Sequence, residues 1–254
     1  MREWLQELKK RNALLFGFGW LCMIGCMGCC LMLLAGNAPG AWIRPARFLA
    51  ETTVFVWTIG WLMDYLHRKQ SIQWFSWVLG VILLFEDGYT IVFALHEELT
   101  HTVIDQQLNE LLMTIMALGV AVISLYIAYF MWLFFVLPLP HIRRHYLWGI
   151  RLGLLGFVLF SISGNLMTAL PGWNIGSPDG RSGLPFVNWK QQSSELRLAH
   201  FLGMHALQVL PLVGCYIARR SILTILFSVL YFLAVIAIFT QALLHQPLIE
   251  LYFG

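Results

Sequence analysis

Seven apolar runs, each above the roughly 17 residues needed to cross a bilayer, alternate with short polar or basic segments along this chain. They fall at 13–35, 46–66, 73–95, 109–137, 147–170, 197–217 and 221–244. The pattern predicts seven helices. The connections are short except at 171–194, so residues 1–254 are read as a single transmembrane helical bundle, all-α and polytopic. Ahead of the first run, REWLQELKK puts Trp4, Leu5 and Leu8 on one helical face. That pattern predicts an amphipathic helix along the inner membrane surface.

Composition agrees with the pattern. The chain is 59% hydrophobic and 11% charged, with mean hydropathy +0.73. A soluble domain carries roughly 25% charged residues, so this chain lacks the polar groups to cover a water-facing surface. A net charge of +3 and the absence of a basic aromatic stripe argue against a nucleic-acid partner.

Lys and Arg set the orientation. ELKKRN, HRKQ, HIRRH and ARRS all fall on one side of a seven-span chain, whereas Arg44, Arg47, Arg181 and Lys190 are thinly spread on the other. The amino terminus is therefore expected in the cytoplasm and the carboxyl terminus outside. The first run exceeds the 7–15 residues of a signal-peptide core and is read as a span. The closing ELYFG looks like a shortened protease-tag remnant and is set aside.

Once the helices are oriented, their polar residues sort by depth. Glu86, Asp87 and Tyr89 lie in the outer half of span three, and Asn109 and Glu110 at the outer mouth of span four. Ser161, Ser163, Asn165 and Thr168 lead span five outward, and Arg197, His200, His205 and Gln208 open span six. The inner halves read as Leu, Ile, Val, Phe and Trp. Intramembrane ionisable groups usually face a bundle interior or a wet cavity, so the pattern predicts a polar cavity opening outward. At 100° per residue, the four polar residues of span six share a wedge of about 140°. That wedge is expected to face the bundle.

Three chemistries suit these residues. Glu86, His101, His200 and His205 offer the imidazole and carboxylate ligands of zinc or non-haem iron. Such a divalent metal would activate water or oxygen. Glu86, His101 and His205 are then the candidate catalytic groups. Asp87, Asn165 and Gln208 would orient ligands from behind, and Arg197 would attract an anionic head group. Membrane lipid, or a hydrophobic or anionic small molecule, is the expected partner. A haem held by two histidines from different spans is the alternative cofactor. A transporter or sensor is the third reading, although no inverted repeat or broken span is visible. Opposed to all three is a purely packing role, with each polar side chain tying helices together.

Cys22, Cys26, Cys29 and Cys30 share one face of span one. Soft sulfur ligands suit copper(I), but small residues at this spacing more often let helices approach closely. The outer connection, PGWNIGSPDGRSGLPFVNWKQQSSE, has a turn at SPDG and reads as a lid or as an interfacial cap.

SPDGRSGLPFVNW and ELRLAHFLGMHALQ resemble a family of uncharacterised bacterial multi-span membrane proteins. Its members carry PDGGPGLPFVNW, then DLRxAHFxGLHALQ. They also place a glutamate about fifteen residues before the histidine of SHFN. Glu86 and His101 keep that spacing, with THTV where the family has SHFN. The resemblance runs from about span three to span six. It implies a bacterial inner membrane and groups Glu86, His101, His200, His205 and the long connection as one unit.

Overall fold

The computed structural model describes residues 2–35, 39–100, 106–169 and 196–244. Its elements are α1 (Arg2–Arg11), α2 (Ala13–Ala35), α3 (Ile43–Met63), α4 (Lys69–Thr100), α5 (Gln106–Val136), α6 (Arg144–Ala169), α7 (Leu196–Leu212) and α8 (Ser221–Leu243). Short 3₁₀ turns precede and follow α3, and a π-helical turn, Val213–Ile217, follows α7. Among the described residues there are no strands. Six helical stretches are long and apolar enough to cross a membrane: Ala13–Ala35, Lys69–His96, Gln107–Val136, Arg144–Gly164, Leu198–Ile217 and Ser221–Leu243.

α3, the helix expected as the second span, is not among the six. It has spanning length, but Arg44, Arg47 and Glu51 crowd its first half. Burial explains how such a helix is tolerated. Leu49, Thr52, Thr53, Val56, Ile59, Gly60, Leu62 and Met63 are all buried, so much of its surface meets protein.

The chain resolves into two compact units, Met1–Ile123 and Ser124–Gly254. In the first, α2 lies against α3 through small residues. Gly19 leaves room for the Trp57 ring, whose Nε1 donates to the Phe16 carbonyl at 3.3 Å. The cysteine face does what packing requires. Cys22 and Cys29 sit in a buried cluster with Trp42, Ala46, Leu49 and Ala94, and Cys26 Sγ lies 3.3 Å from the Ala46 carbonyl.

α1 is amphipathic as expected, and its apolar face is partly covered by protein. Leu8 is fully buried and Trp4 stacks on Trp61 with ring centroids 5.8 Å apart. Arg11 closes the contact, lying 4.2 Å from the Trp61 ring centre and 3.7 Å from Asp64. Asn12 separates α1 from α2: its Oδ1 accepts from the Leu15 N–H at 3.0 Å, and its Nδ2 donates to Ser76 Oγ at 2.8 Å.

In the second unit, α6 and α7 pack with backbones in near contact. A Cβ on Gly153 would stand 2.8 Å from the Ala206 carbonyl oxygen, and one on Gly156 would stand 2.7 Å from the Ala206 methyl. Gly149 meets Leu210 and Pro211 in the same way. Small residues four apart allow this approach in transmembrane pairs. Further along, the Phe160 ring covers Gly203. Tyr231 of α8 donates its hydroxyl to the Leu202 carbonyl at 2.5 Å.

Candidate functional site

The polar residues singled out by the sequence fall in both units, one group in each. The first is built on α4, where Glu86 and Asp87 are 7% and 4% exposed. Glu86 lies roughly 25 Å from Lys69 along the helix and roughly 15 Å before His96, at about 1.5 Å per residue. This places the pair well inside Lys69–His96, a stretch long and apolar enough to cross a membrane.

Adjacent residues on a helix point about 100° apart, and the two carboxyls have different surroundings. Asp87 reaches toward α2 and α3. Thr52 donates its hydroxyl to Oδ1 at 3.2 Å, and Cys22 donates its thiol to Oδ2 at 3.6 Å. Thr90 donates to the Asp87 backbone carbonyl at 2.9 Å. Asp87 thus joins three helices through uncharged donors.

Glu86 faces α5. Its Oε1 would lie 3.6 Å from a Cβ at Gly119, and Ile82 of its own helix would lie closer still. This buried oxygen has no hydrogen-bond partner among the described residues. Neither carboxyl has a basic side chain in ion-pair range among them. Nearby, Tyr89 donates its hydroxyl to Asn109 Oδ1, linking α4 to the start of α5.

The second centre lies between α6 and α7. His200 Nδ1 is 2.8 Å from the Phe160 carbonyl oxygen and 3.1 Å from Ser163 Oγ. A carbonyl oxygen can only accept, so Nδ1 carries the hydrogen and the neutral ring has its lone pair on Nε2. Ser163 donates its own hydroxyl to the same carbonyl at 2.6 Å. The ring lies against Gly164, where a Cβ would stand 2.6 Å from Cε1 and 3.1 Å from Nε2. His205, one turn on, donates Nδ1 to Gln208 Oε1 at 3.2 Å and sits edge-on to Phe201, with centroids 4.1 Å apart.

Opposite the polar wedge expected on span six, the buried residues of α7 are apolar: the small Ala199, Gly203 and Ala206 run among Leu196, Leu207, Leu210 and Pro211. His200 lies at the edge of that face, and His205 and Gln208 are half-buried on the adjoining flank. Close backbone packing demands small residues, so they took the interface.

The expected metal set is distributed over both units. Glu86 belongs to the first, His200 and His205 belong to the second, and His101 is outside the described residues. Among those residues, no three His, Cys, Asp or Glu side chains gather as a metal site would need. Arg197 is on α7 and Asn165 on α6. The connection 171–194 falls outside the described residues.

The sequence reading did not anticipate Gly164 as the wall behind His200, Gly119 opposite Glu86, or the Cys22 thiol on Asp87. Gly149 and Gly153, four apart, carried a readable signal of close helix approach. Nor does an apolar reading of the inner halves account for Arg151. Its Nε donates to the Phe134 carbonyl at 2.8 Å, and its guanidinium lies 5.4 Å from the ring centres of Phe135 and Trp148. Phe134 is in the last turn of α5, where carbonyls lack helical partners. No known protein family, curated protein or solved structure matches the chain.

Proposed function

We propose that this is a seven-span protein of a bacterial inner membrane, amino terminus inside, that binds and releases a cation through Glu86 and Asp87. The observation that carries the reading is Glu86 Oε1, buried without a partner beside a second carboxyl. An isolated carboxylate in such a place costs several kcal/mol, so the oxygen calls for a proton or a metal cation. Carboxyl groups at this depth serve proton relays and ion pathways. Asp87, held by Thr52 and Cys22, is the fixed partner, and Glu86 is the group that takes up and gives up the cation. The activity that follows is cation-coupled transport or sensing.

Dicyclohexylcarbodiimide tests this directly. A protonated, lipid-accessible carboxylic acid adds across one C=N bond of the reagent, giving an O-acylisourea with no leaving group. Proteoliposomes should give an adduct on the Glu86 peptide that is absent from Glu86→Gln. Proton entry, read with an enclosed pH dye under an imposed potential, should exceed that of the variant. No adduct and flux equal to empty liposomes would sink the reading.

A second reading rests on His200. A histidine that ligates a metal commonly donates its other ring nitrogen to a carbonyl, the posture His200 holds toward Phe160. In this reading Nε2 takes zinc, iron or a haem iron, with His205 the next imidazole on the helix. The centre then acts on a hydrophobic or lipid substrate or carries electrons. Elemental analysis with an absorption spectrum, on wild type and His200→Ala, separates the cases. Bound zinc or iron lost in the variant supports a metal site, a Soret band supports haem, and neither in protein kept from chelators removes both.

A further inference from the structure

Two arginines that the proposed cation site does not use converge at the other end of the second unit. Arg143, just before α6, and Arg219, just after the π turn, line an open cleft of about 480 Å³ together with His145, Cys215 and Tyr216. None of these lining residues is acidic. Both arginines are exposed, and neither has a carboxylate partner among the described residues.

The cleft is built by the way α7 ends. Pro211 has no N–H to donate, and the helix widens into a π turn in which the Ala218 N–H reaches the Val213 carbonyl at 2.8 Å. The Gly214 carbonyl instead takes a hydrogen from His145 Nδ1 at 2.5 Å. Gly214 allows this approach, since a Cβ there would stand 2.7 Å from the His145 carbonyl oxygen. The chain then reverses at Arg219, whose φ of 44° is in the left-handed region that disfavours a side chain. Tyr216, part of the cleft lining, is about 70% exposed and gives it an apolar rim; the next residue in the chain, Ile217, is as exposed.

We propose that this cleft binds the phosphate of an anionic lipid head group in the inner leaflet. Basic residues near the ends of spans need only lie on the inner side to set orientation. Here two arginines and the exposed Tyr216 line one concavity whose lining holds no acid. A guanidinium matches phosphate oxygens with paired N–H groups. The Tyr216 hydroxyl is a further donor, and Ile217 lies where acyl chains would run. A soluble anion would gain nothing from the apolar rim, so the lipid is the occupant that fits both halves.

The test uses the full chain in mild detergent, titrated with short-chain phosphatidylglycerol, with phosphatidylcholine of the same length and with inorganic phosphate. Retained ligand is read by native mass spectrometry. Phosphatidylglycerol should be favoured over phosphatidylcholine, and Arg143→Gln with Arg219→Gly should abolish the preference. The expected loss is about fivefold for each guanidinium. Arg219→Gly relieves the left-handed residue, so the variant should fold as well as wild type, which a melting curve checks. Equal retention of the two lipids, an unchanged preference in the variant, or inorganic phosphate binding as well as lipid would each overturn the proposal.

Discussion

The His200 ring occupies the space that a side chain at Gly164 would need: a Cβ there would stand 2.6 Å from Cε1. With Nδ1 tied to Phe160, the ring has little freedom to turn away. Gly164→Ala should therefore destabilise the protein by about 1–3 kcal/mol, the usual range for overpacking. His200→Ala in the same chain should recover part of that loss. A double-mutant cycle on thermal midpoints in detergent reads the coupling; strict additivity would mean that the two residues do not press on each other.

Asp87 accepts from two helices, so changing it should unpair two buried donors. Asp87→Ala strands the Thr52 hydroxyl and the Cys22 thiol, at about 1–3 kcal/mol for an unsatisfied buried group. Asp87→Asn retains one acceptor oxygen and should lose less. Thr52→Val should lower stability in wild type but much less in Asp87→Ala, where its partner is already gone. Equal effects of Thr52→Val in both backgrounds would remove the hydrogen bond from the account.

Glu86 makes the opposite prediction, because its Oε1 lacks a donor. Gly119→Ser brings a hydroxyl to the facing helix, where its Cβ would lie 3.6 Å from that oxygen. Both Gly119→Ser and Gly119→Ala must displace the Ile82 methyl, so their difference isolates the hydroxyl. The serine variant should be the more stable by about 0.5–1.5 kcal/mol. The difference should vanish in Glu86→Leu. The same serine should slow carbodiimide labelling of Glu86, since it gives the carboxyl a partner.

Helix position was largely legible in the sequence, because hydrophobic runs of spanning length have few alternatives in lipid, and six of the seven expected spans are long and apolar enough to cross a membrane. The start and end of α2 match the apolar run at 13–35. The character of α3 was less legible: whether Arg44, Arg47 and Glu51 are tolerated depends on what covers the helix, and a linear pattern does not carry that. That Glu86 and Asp87 lie inside an apolar helix was readable, but their unlike surroundings were not. Those depend on Gly119, Thr52 and Cys22, which come from three other helices. On α7 the wheel identified the polar wedge and left the apolar face to lipid or to packing neighbours, and within its unit that face packs. It weighed polarity, whereas Gly149 and Gly153 on α6 select a partner stripe for small size.

The glycines themselves separate into two classes. Gly149 and Gly153 meet backbone across the α6–α7 contact, whereas Gly17 and Gly88 have open space where a Cβ would go. Gly17→Ala and Gly88→Ala should be neutral or stabilising by up to about 1 kcal/mol, through helix propensity alone. Gly153→Leu should sharply reduce the folded yield by forcing α7 away. Fluorescence-detected size exclusion of the three variants gives the comparison, and a well-folded Gly153→Leu would contradict the close packing.

Arg151 carries a charge at a depth where few are tolerated, and its partners are a carbonyl and two aromatic faces. The carbonyl end of a helix bears partial negative charge, so the α5 terminus serves where a carboxylate might otherwise be needed. Arg151→Lys retains the charge but loses the planar group that can donate to Phe134 while lying near Phe135 and Trp148. It should lower the thermal midpoint, and Arg151→Met should lower it further by leaving the Phe134 carbonyl unpaired. Trp148→Ala should cost less in Arg151→Met than in wild type, because the ring then has no cation to face. If Trp148→Ala has the same effect in both, the hydrogen bond alone holds Arg151, and the aromatic faces only fill space.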